Sequence, residues 1–239
     1  MKRMSRIRPM TRLVPAVAAA ALLGAAGTAQ AQATHEHTVF IGGVHIDVHT
    51  SGEPLTFNPP KALPGPVEIG VGNADTVLFG YIWRFAPQWS GELVLGIPPK
   101  HKAYGKGIIE PFGQVGSFRQ VAPIAFLNWH PGRWDRVEPF VGAGINYTRF
   151  TNVRSTASGD LANGGPTEFK LGSSWGPAVH AGATVALDRG FSLLASISYL
   201  RGKSDVTATS RQADGTLSVG SGSVKFGQVG YTLALAYGF

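Results

Sequence analysis

The chain has 239 residues, no cysteine, 32 glycines, 16 prolines and a formal net charge of +7. A disulfide framework is excluded, and 15% charged residues is a low share for a soluble domain. Five of the positive charges (Lys2, Arg3, Arg6, Arg8 and Arg12) precede residue 31 without an acidic partner, so the remainder carries only +2, and its basicity is no sign of nucleic acid.

Those five residues lead into an apolar run from Leu13 to about Gly27 and then into Ala29-Gln30-Ala31 and Ala31-Gln32-Ala33. A basic start, a short apolar stretch and small residues at alternate positions are the marks of a cleaved secretory signal peptide, covering 1–31 or extending to 33. The apolar run is shorter than the roughly 20 residues a spanning helix needs, and Pro15 interrupts it. Residues 32–239 are then expected to form a single domain.

Along that domain apolar residues recur with a period of two, the signature of strands rather than helices. Segments near 38–49, 75–86, 88–98 and 115–130 alternate in this way, as do 138–148, 178–187, 191–200 and 228–239, for eight in all. In the last, Val229, Tyr231, Leu233, Leu235, Tyr237 and Phe239 share one face, while Gly230, Thr232, Ala234, Ala236 and Gly238 share the other. Short connections at 86–88, 130–136 and 188–190 alternate with long segments rich in Gly, Pro, Ser and Lys at about 50–74, 99–114, 151–174 and 202–223. That is an antiparallel meander with both chain ends on the short-turn side.

Two architectures satisfy this pattern: an exported soluble sandwich or barrel with apolar faces inward, and a transmembrane barrel with apolar faces in lipid. Three features favour the second. Small residues fill the less apolar faces, as the cramped interior of eight strands requires. The strands match a tilted span of about 9–11 residues. Aromatic residues Trp83, Phe85, Trp89, Trp129, Trp134, Phe191 and Phe239 cluster near the short turns, as an interfacial girdle does. The expected fold is all-β: an eight-stranded antiparallel transmembrane β-barrel with N- and C-termini periplasmic and the four long segments as extracellular loops. In hydrocarbon an open strand edge costs several kcal/mol per unpaired group, so the last strand must close against the first.

Several stretches resemble the outer membrane protein W family of Gram-negative bacteria. They are Glu138-Pro139-Phe140-Val141-Gly142-Ala143-Gly144-Ile145-Asn146-Tyr147-Thr148, Ser174-Trp175-Gly176-Pro177-Ala178 with Ala181-Gly182, and Gly91-Glu92-Leu93 leading through Pro98 to Lys100-His101-Lys102. Tyr237 and Phe239 are similar to the terminal signal read by the barrel-insertion machinery. The resemblance implies an outer-membrane location and passage of small hydrophobic molecules, with lateral exit into the bilayer. The alternative is a closed barrel that supports the envelope or presents its loops to partners. Val121-Ala122-Pro123-Ile124-Ala125-Phe126 departs from the family by lacking a paired-proline run, and the final strand is unusually rich in Ala and Gly.

Extending the alternation gives an expected lumen. Its apolar members are Leu78, Ile82, Val94, Ile124, Phe126, Phe140, Leu194 and Leu200, and its polar members are His45, Asp47, His49, Arg84, Glu92, Glu138 and His180, with Ile41, Gly43, Gly80, Asn128 and Asn146 on the same faces. Arg84, Glu92 and Glu138 fall near the short turns, which suggests a polar plug beneath an apolar vestibule. His45-x-Asp47-x-His49 invites a hydrolase or metal reading, but no nucleophile accompanies it and too few ligands gather for a closed metal site. No cofactor, metal or catalytic residue is therefore expected. Lys100, His101, Lys102 and Lys106 admit two readings, a solvated loop or contact with phosphates of lipopolysaccharide.

Overall fold

The computed structural model describes residues 35–60 and 64–239. The proposed signal peptide lies outside the described residues. Strands dominate: β1 (His37–Gly52), β2 (Thr56–Asn58), β3 (Val67–Val71), β4 (Ala74–Ala86), β5 (Trp89–Gly96), β6 (Lys100–Gly107), β7 (Gln114–Val121), β8 (Ile124–Trp129) and β9 (Val137–Ser155). After a short helix α1 (Ala157–Asn163) come β10 (Thr167–Leu171), β11 (Ser174–Ala186), β12 (Phe191–Arg211) and β13 (Leu217–Gly238).

Eight of these close a ring in the order β1-β4-β5-β8-β9-β11-β12-β13, every neighbour antiparallel. The seam runs from Thr38↔Gly238 to Gly52↔Val224, and at the short-turn end the backbones of His37 and Phe239 exchange hydrogen bonds. Closure removes the edges that lipid would penalise. The outward faces hold the apolar belt: Ile41, Ile145, Ile197 and Leu233 are each more than half exposed. The opposite face of β13 is its reverse, with Ala234 and Ala236 buried in the interior.

The long connections are not irregular, as the sequence reading expected. Residues 202–223 belong mostly to one hairpin, because β12 and β13 stay paired from Phe191↔Tyr237 out to Arg211↔Leu217. Segment 50–74 contains the end of β1 with β2 and β3; 99–114 contains β6; and 151–174 contains the end of β9, α1 and β10. The expected strand 115–130 is two strands, β7 and β8, parted at Ala122-Pro123. The same physics explains these departures. Period-two patterning continues above the belt with Val206, Ala208 and Phe226 buried, but its outward residues there face water and are polar.

Two adjacent glycines show how tightly the wall is wound. A Cβ on inward Gly42 would sit 2.2 Å from the Leu233 carbonyl oxygen and 2.5 Å from the Ala234 Cα, whereas outward Gly43 has nothing within 4 Å. Gly42→Ala is expected to cost about 1–3 kcal/mol through backbone displacement. Gly43→Ala should stay within about 0.5 kcal/mol. Urea unfolding in lipid vesicles measures both.

Candidate functional site

The interior is built in tiers from residues two apart on each strand. Nearest the short turns, Arg84 of β4 and Glu138 of β9 form an ion pair, and Arg133 holds the other Glu138 oxygen at 3.1 Å. His130 stands 3.2 Å from Glu138 through Nδ1 and 2.9 Å from the Ser90 hydroxyl through Nε2. Arg84 also donates to the Pro87 carbonyl at 2.9 Å, tying this tier to the β4–β5 turn. The second tier runs along the wall from β5 through β8 to β11, passing over Gly142 of β9. Asn128 donates to Glu92 at 2.6 Å and accepts from His180 Nε2 at 2.7 Å. Phe126 caps it, stacked on the His180 ring with centroids 3.7 Å apart and planes 9° from parallel. Every charged group in these two tiers has a partner, as burial demands.

Above the capping ring the lining turns apolar. Phe126 and Leu200 pack with Ala178, adjoined by Val94 and Ile124; a second apolar cluster of Leu78, Phe40, Phe140 and Leu194 extends down beside the polar tiers, where Phe140 meets His130. A cavity of about 100 Å³ opens here, bounded by Val44, Leu78, Val94, Ile124, Phe126 and Leu200 among others. A second apolar cavity of about 60 Å³ lies between the strand extensions, bounded by Val115, Phe118, Phe150, Phe169 and Phe226. Gln120 of β7 and Gln228 of β13 border both. Their buried amides donate to each other, at 3.1 Å from Gln120 and 2.8 Å from Gln228. One amide pair therefore partitions the apolar space.

The wall beside the lower cavity is interrupted. β5 pairs with β8 as far as Val94↔Ile124, and β6 with β7 from Lys100↔Arg119. Between them, the Gln120 N–H donates to the Pro99 carbonyl at 3.2 Å, and the Arg119 guanidinium to the Pro98 carbonyl at 2.9 Å. Pro98, Pro99 and Pro123 have no N–H to continue a ladder. The cavity lining reaches Leu95, Gly96, Pro99 and Ala122 at this interruption, and Leu95 belongs to the outward face. Pro139 and Pro177 sit instead in continuous register opposite Ala183 and Ile145.

β1 presents the face opposite to the one expected from its sequence. On β1, Phe40 is 5% exposed and Ile41 58%, so Phe40, Val44 and Ile46 face the interior. His45, Asp47 and His49, with Ile41 and Gly43, lie on the outside. His45 Nδ1 meets Asp75 at 2.6 Å and its Nε2 meets Asp47 at 3.1 Å, forming a polar cluster just beyond the apolar belt. Parity on β1 is ambiguous because Phe40, Val44, Ile46 and Val48 are themselves apolar; treating the polar set as lumenal exchanged the faces. His130, Ser90 and the two glutamines had no assigned role in the sequence reading. His130 was legible as the next step after Asn128, whereas Gln120 and Gln228 are 108 residues apart and only the topology joins them. Within the loop read as either solvated or facing phosphates, Lys100, Lys102 and Lys106 are exposed but His101 is not. Burial between Gly72 and Phe118 lowers the His101 pKa below its ordinary 6.5, so the ring stays neutral and donates to the Gly72 carbonyl at 3.0 Å.

The pattern of the OmpW family matches residues 39–239. The chain belongs to the OmpW family. It is 31% identical over 170 residues to the dibenzothiophene metabolism operon protein PahQ of Pseudomonas aeruginosa, covering 71% of this chain and 75% of that one. To the outer membrane protein AlkL of Ectopseudomonas oleovorans it is 26% identical over 148 residues, covering 62% and 60%. The crystal structure of OprG from Pseudomonas aeruginosa superposes with a TM-score of 0.74 at 22% identity, over 86% of this chain and 96% of OprG. The AlkL structure determined in DMPC bilayers superposes with a TM-score of 0.62 at 22% identity, covering 91% and 97%. As an OmpW family barrel the protein resides in the Gram-negative outer membrane, with its exposed apolar belt in lipid. Trp83, Phe85, Trp89, Trp129 and Phe191 are exposed near the short turns, alongside Tyr237 and Phe239 at the chain end. Tyr147 and Trp175, ring centroids 4.9 Å apart, stand toward the opposite rim.

Proposed function

We propose that the barrel passes small hydrophobic molecules across the outer membrane and releases them sideways into the bilayer. The observation that carries this reading is the apolar cavity lying above a fully paired polar plug and reaching the wall where the β5–β8 pairing stops. A solute enters between the strand extensions, separates the Gln120–Gln228 amides, and meets Phe126 over the plug. Continuing downward means stripping Glu92, Arg84 and Glu138 of their partners, whereas Leu95 and Ala122 offer an apolar way out. The plug serves as a floor, and no catalytic role is assigned to it. The PahQ relative's association with dibenzothiophene metabolism supports a flat aromatic solute of that kind. In this orientation both chain ends are periplasmic, and Tyr237 and Phe239 present the signal for the insertion machinery.

Uptake of dibenzothiophene by cells with and without the full chain tests the passage. Faster uptake with the protein is expected, with no change for a hydrophilic solute of similar size. Equal rates would favour a closed structural barrel. Lateral release has its own test in Ala122→Trp, which fills the interruption from the lumen side. It should lower uptake by about tenfold while leaving the unfolding midpoint near wild type. Undiminished uptake would refute sideways release without touching passage itself.

A further inference from the structure

We infer that the outer wall carries a binding site for a phosphorylated glycolipid of the outer leaflet, formed by Arg201, Lys203 and Lys225 beside Trp175 and Tyr199. The inference rests on the outer-membrane location rather than on solute passage. Outward positions of β12 read Phe191, Leu193, Ala195, Ile197 and Tyr199, and then abruptly Arg201 and Lys203. Those of β13 read Tyr237, Leu235, Leu233, Tyr231, Val229 and Gly227, and then Lys225. On both strands a cation is the first side chain beyond the apolar belt and its aromatic rim, the level of lipid headgroups.

Their arrangement makes poor sense for the protein alone. Lys203 and Lys225 are directly opposed in the ladder, and Arg201 faces Gly227 one alternation lower. Like charges directly opposite are destabilising, with Cβ atoms about 4.5–5.5 Å apart. Among the described residues none of the three forms a salt bridge, and the nearest acid on the same face of β12 is Asp205, further from the belt. The three cations line an open groove of about 570 Å³ together with His49, Trp175 and Tyr199. The groove exists because the β11–β12 ladder ends at Ala178↔Leu200, and the strands are next joined where the Lys203 N–H donates to the Ser174 hydroxyl. Above the belt, three unpaired cations converge; within it, Ile197 and Leu233 are exposed to lipid. An amphiphile with phosphate at its head and acyl chains beneath satisfies both halves, and free phosphate satisfies only one.

The full chain in nonionic detergent is incubated separately with lipopolysaccharide, dephosphorylated lipopolysaccharide and inorganic phosphate, with retention followed by native mass spectrometry and unfolding by thermal scan. Lipopolysaccharide should be retained and raise the melting temperature. Lys203→Gln with Lys225→Gln should weaken retention by about tenfold or more, since two charge-assisted contacts are lost. Arg201→Gln should weaken it further, and Lys100→Gln with Lys102→Gln should leave it unchanged. Without lipid, the Lys203/Lys225 variant should melt no lower than wild type, because it relieves a repulsion. Equal retention by wild type and variant, or by phosphorylated and dephosphorylated lipid, would overturn the site. Full competition by inorganic phosphate would overturn its assignment to a lipid, and a lower lipid-free melting temperature in the variant would show that the cations serve the fold instead.

Discussion

Cells carrying Phe126→Arg are expected to take up a hydrophobic solute no faster than cells lacking the protein. Phe126 forms the floor of the lower cavity and is 6% exposed. It lies directly opposite Glu92 across the β5–β8 ladder, so an arginine there has a carboxylate within reach and the barrel should still fold. The substitution acts twice. Its side chain is longer than the ring it replaces and reaches into a cavity of only about 100 Å³. It also puts a guanidinium where the solute must lie, and an apolar molecule pressed against that charge removes water from it without offering a hydrogen bond. A deficit of about 1.5–3 kcal/mol for such a group corresponds to roughly 10–100-fold in rate. Leu78→Arg, two strands away on β4, should behave alike, whereas Phe126→Leu keeps an apolar floor and should retain uptake within about threefold. A resistant barrel on unheated gels separates blocked passage from failed assembly. Unchanged uptake in Phe126→Arg would mean that solutes do not use this cavity.

The outline of this site was legible because lipid forces one face of each strand to be apolar and closure forces the other inward. On β4 and β13 the two faces differ clearly in size, and Leu78, Arg84 and the small even-numbered residues of β13 were placed from the alternation alone. On β1 they do not. Phe40 is a large ring accommodated in the lumen because Gly80 faces it, with a Cβ at Gly80 falling 2.2 Å from the Phe40 ring. That compensation lies on another strand, so no window along β1 could reveal it. The strand extensions were hidden for a different reason. Above the membrane the outside becomes polar while the inside stays apolar, and β12 changes from Ile197 and Tyr199 to Arg201 and Lys203 with no break in pairing. The lumen partners fall between these cases. His130 follows by parity from Phe126 and Asn128, but Gln120 and Gln228 meet only because the barrel closes.

Glu138→Ala is expected to cost about 3–5 kcal/mol of barrel stability, the range for deleting one partner of a buried ion pair. Glu138 is 7% exposed, and its two oxygens are engaged by Arg84, Arg133 and His130. Removing it leaves the Arg84 guanidinium in a narrow interior without its carboxylate, because Glu92 is committed to Asn128 in the tier above. Arg84→Ala should be milder, since Arg133 and His130 continue to hold Glu138. The double variant Arg84→Ala with Glu138→Ala should lose less than the sum of the two single variants, by about 1–3 kcal/mol, because neither charge is then stranded. Unfolding in urea across lipid vesicles measures all three. The comparison also separates two functions of the tier. If it is only structural, the double variant restores stability and uptake together. If it is the floor that turns solutes toward the wall, the double variant regains stability while small hydrophilic solutes begin to leak through, because two large polar groups have been removed from the base of the lumen. Additive losses with no leak would show that Arg84 and Glu138 act independently, and the plug would then have to be assigned to the Glu92–Asn128–His180 tier alone.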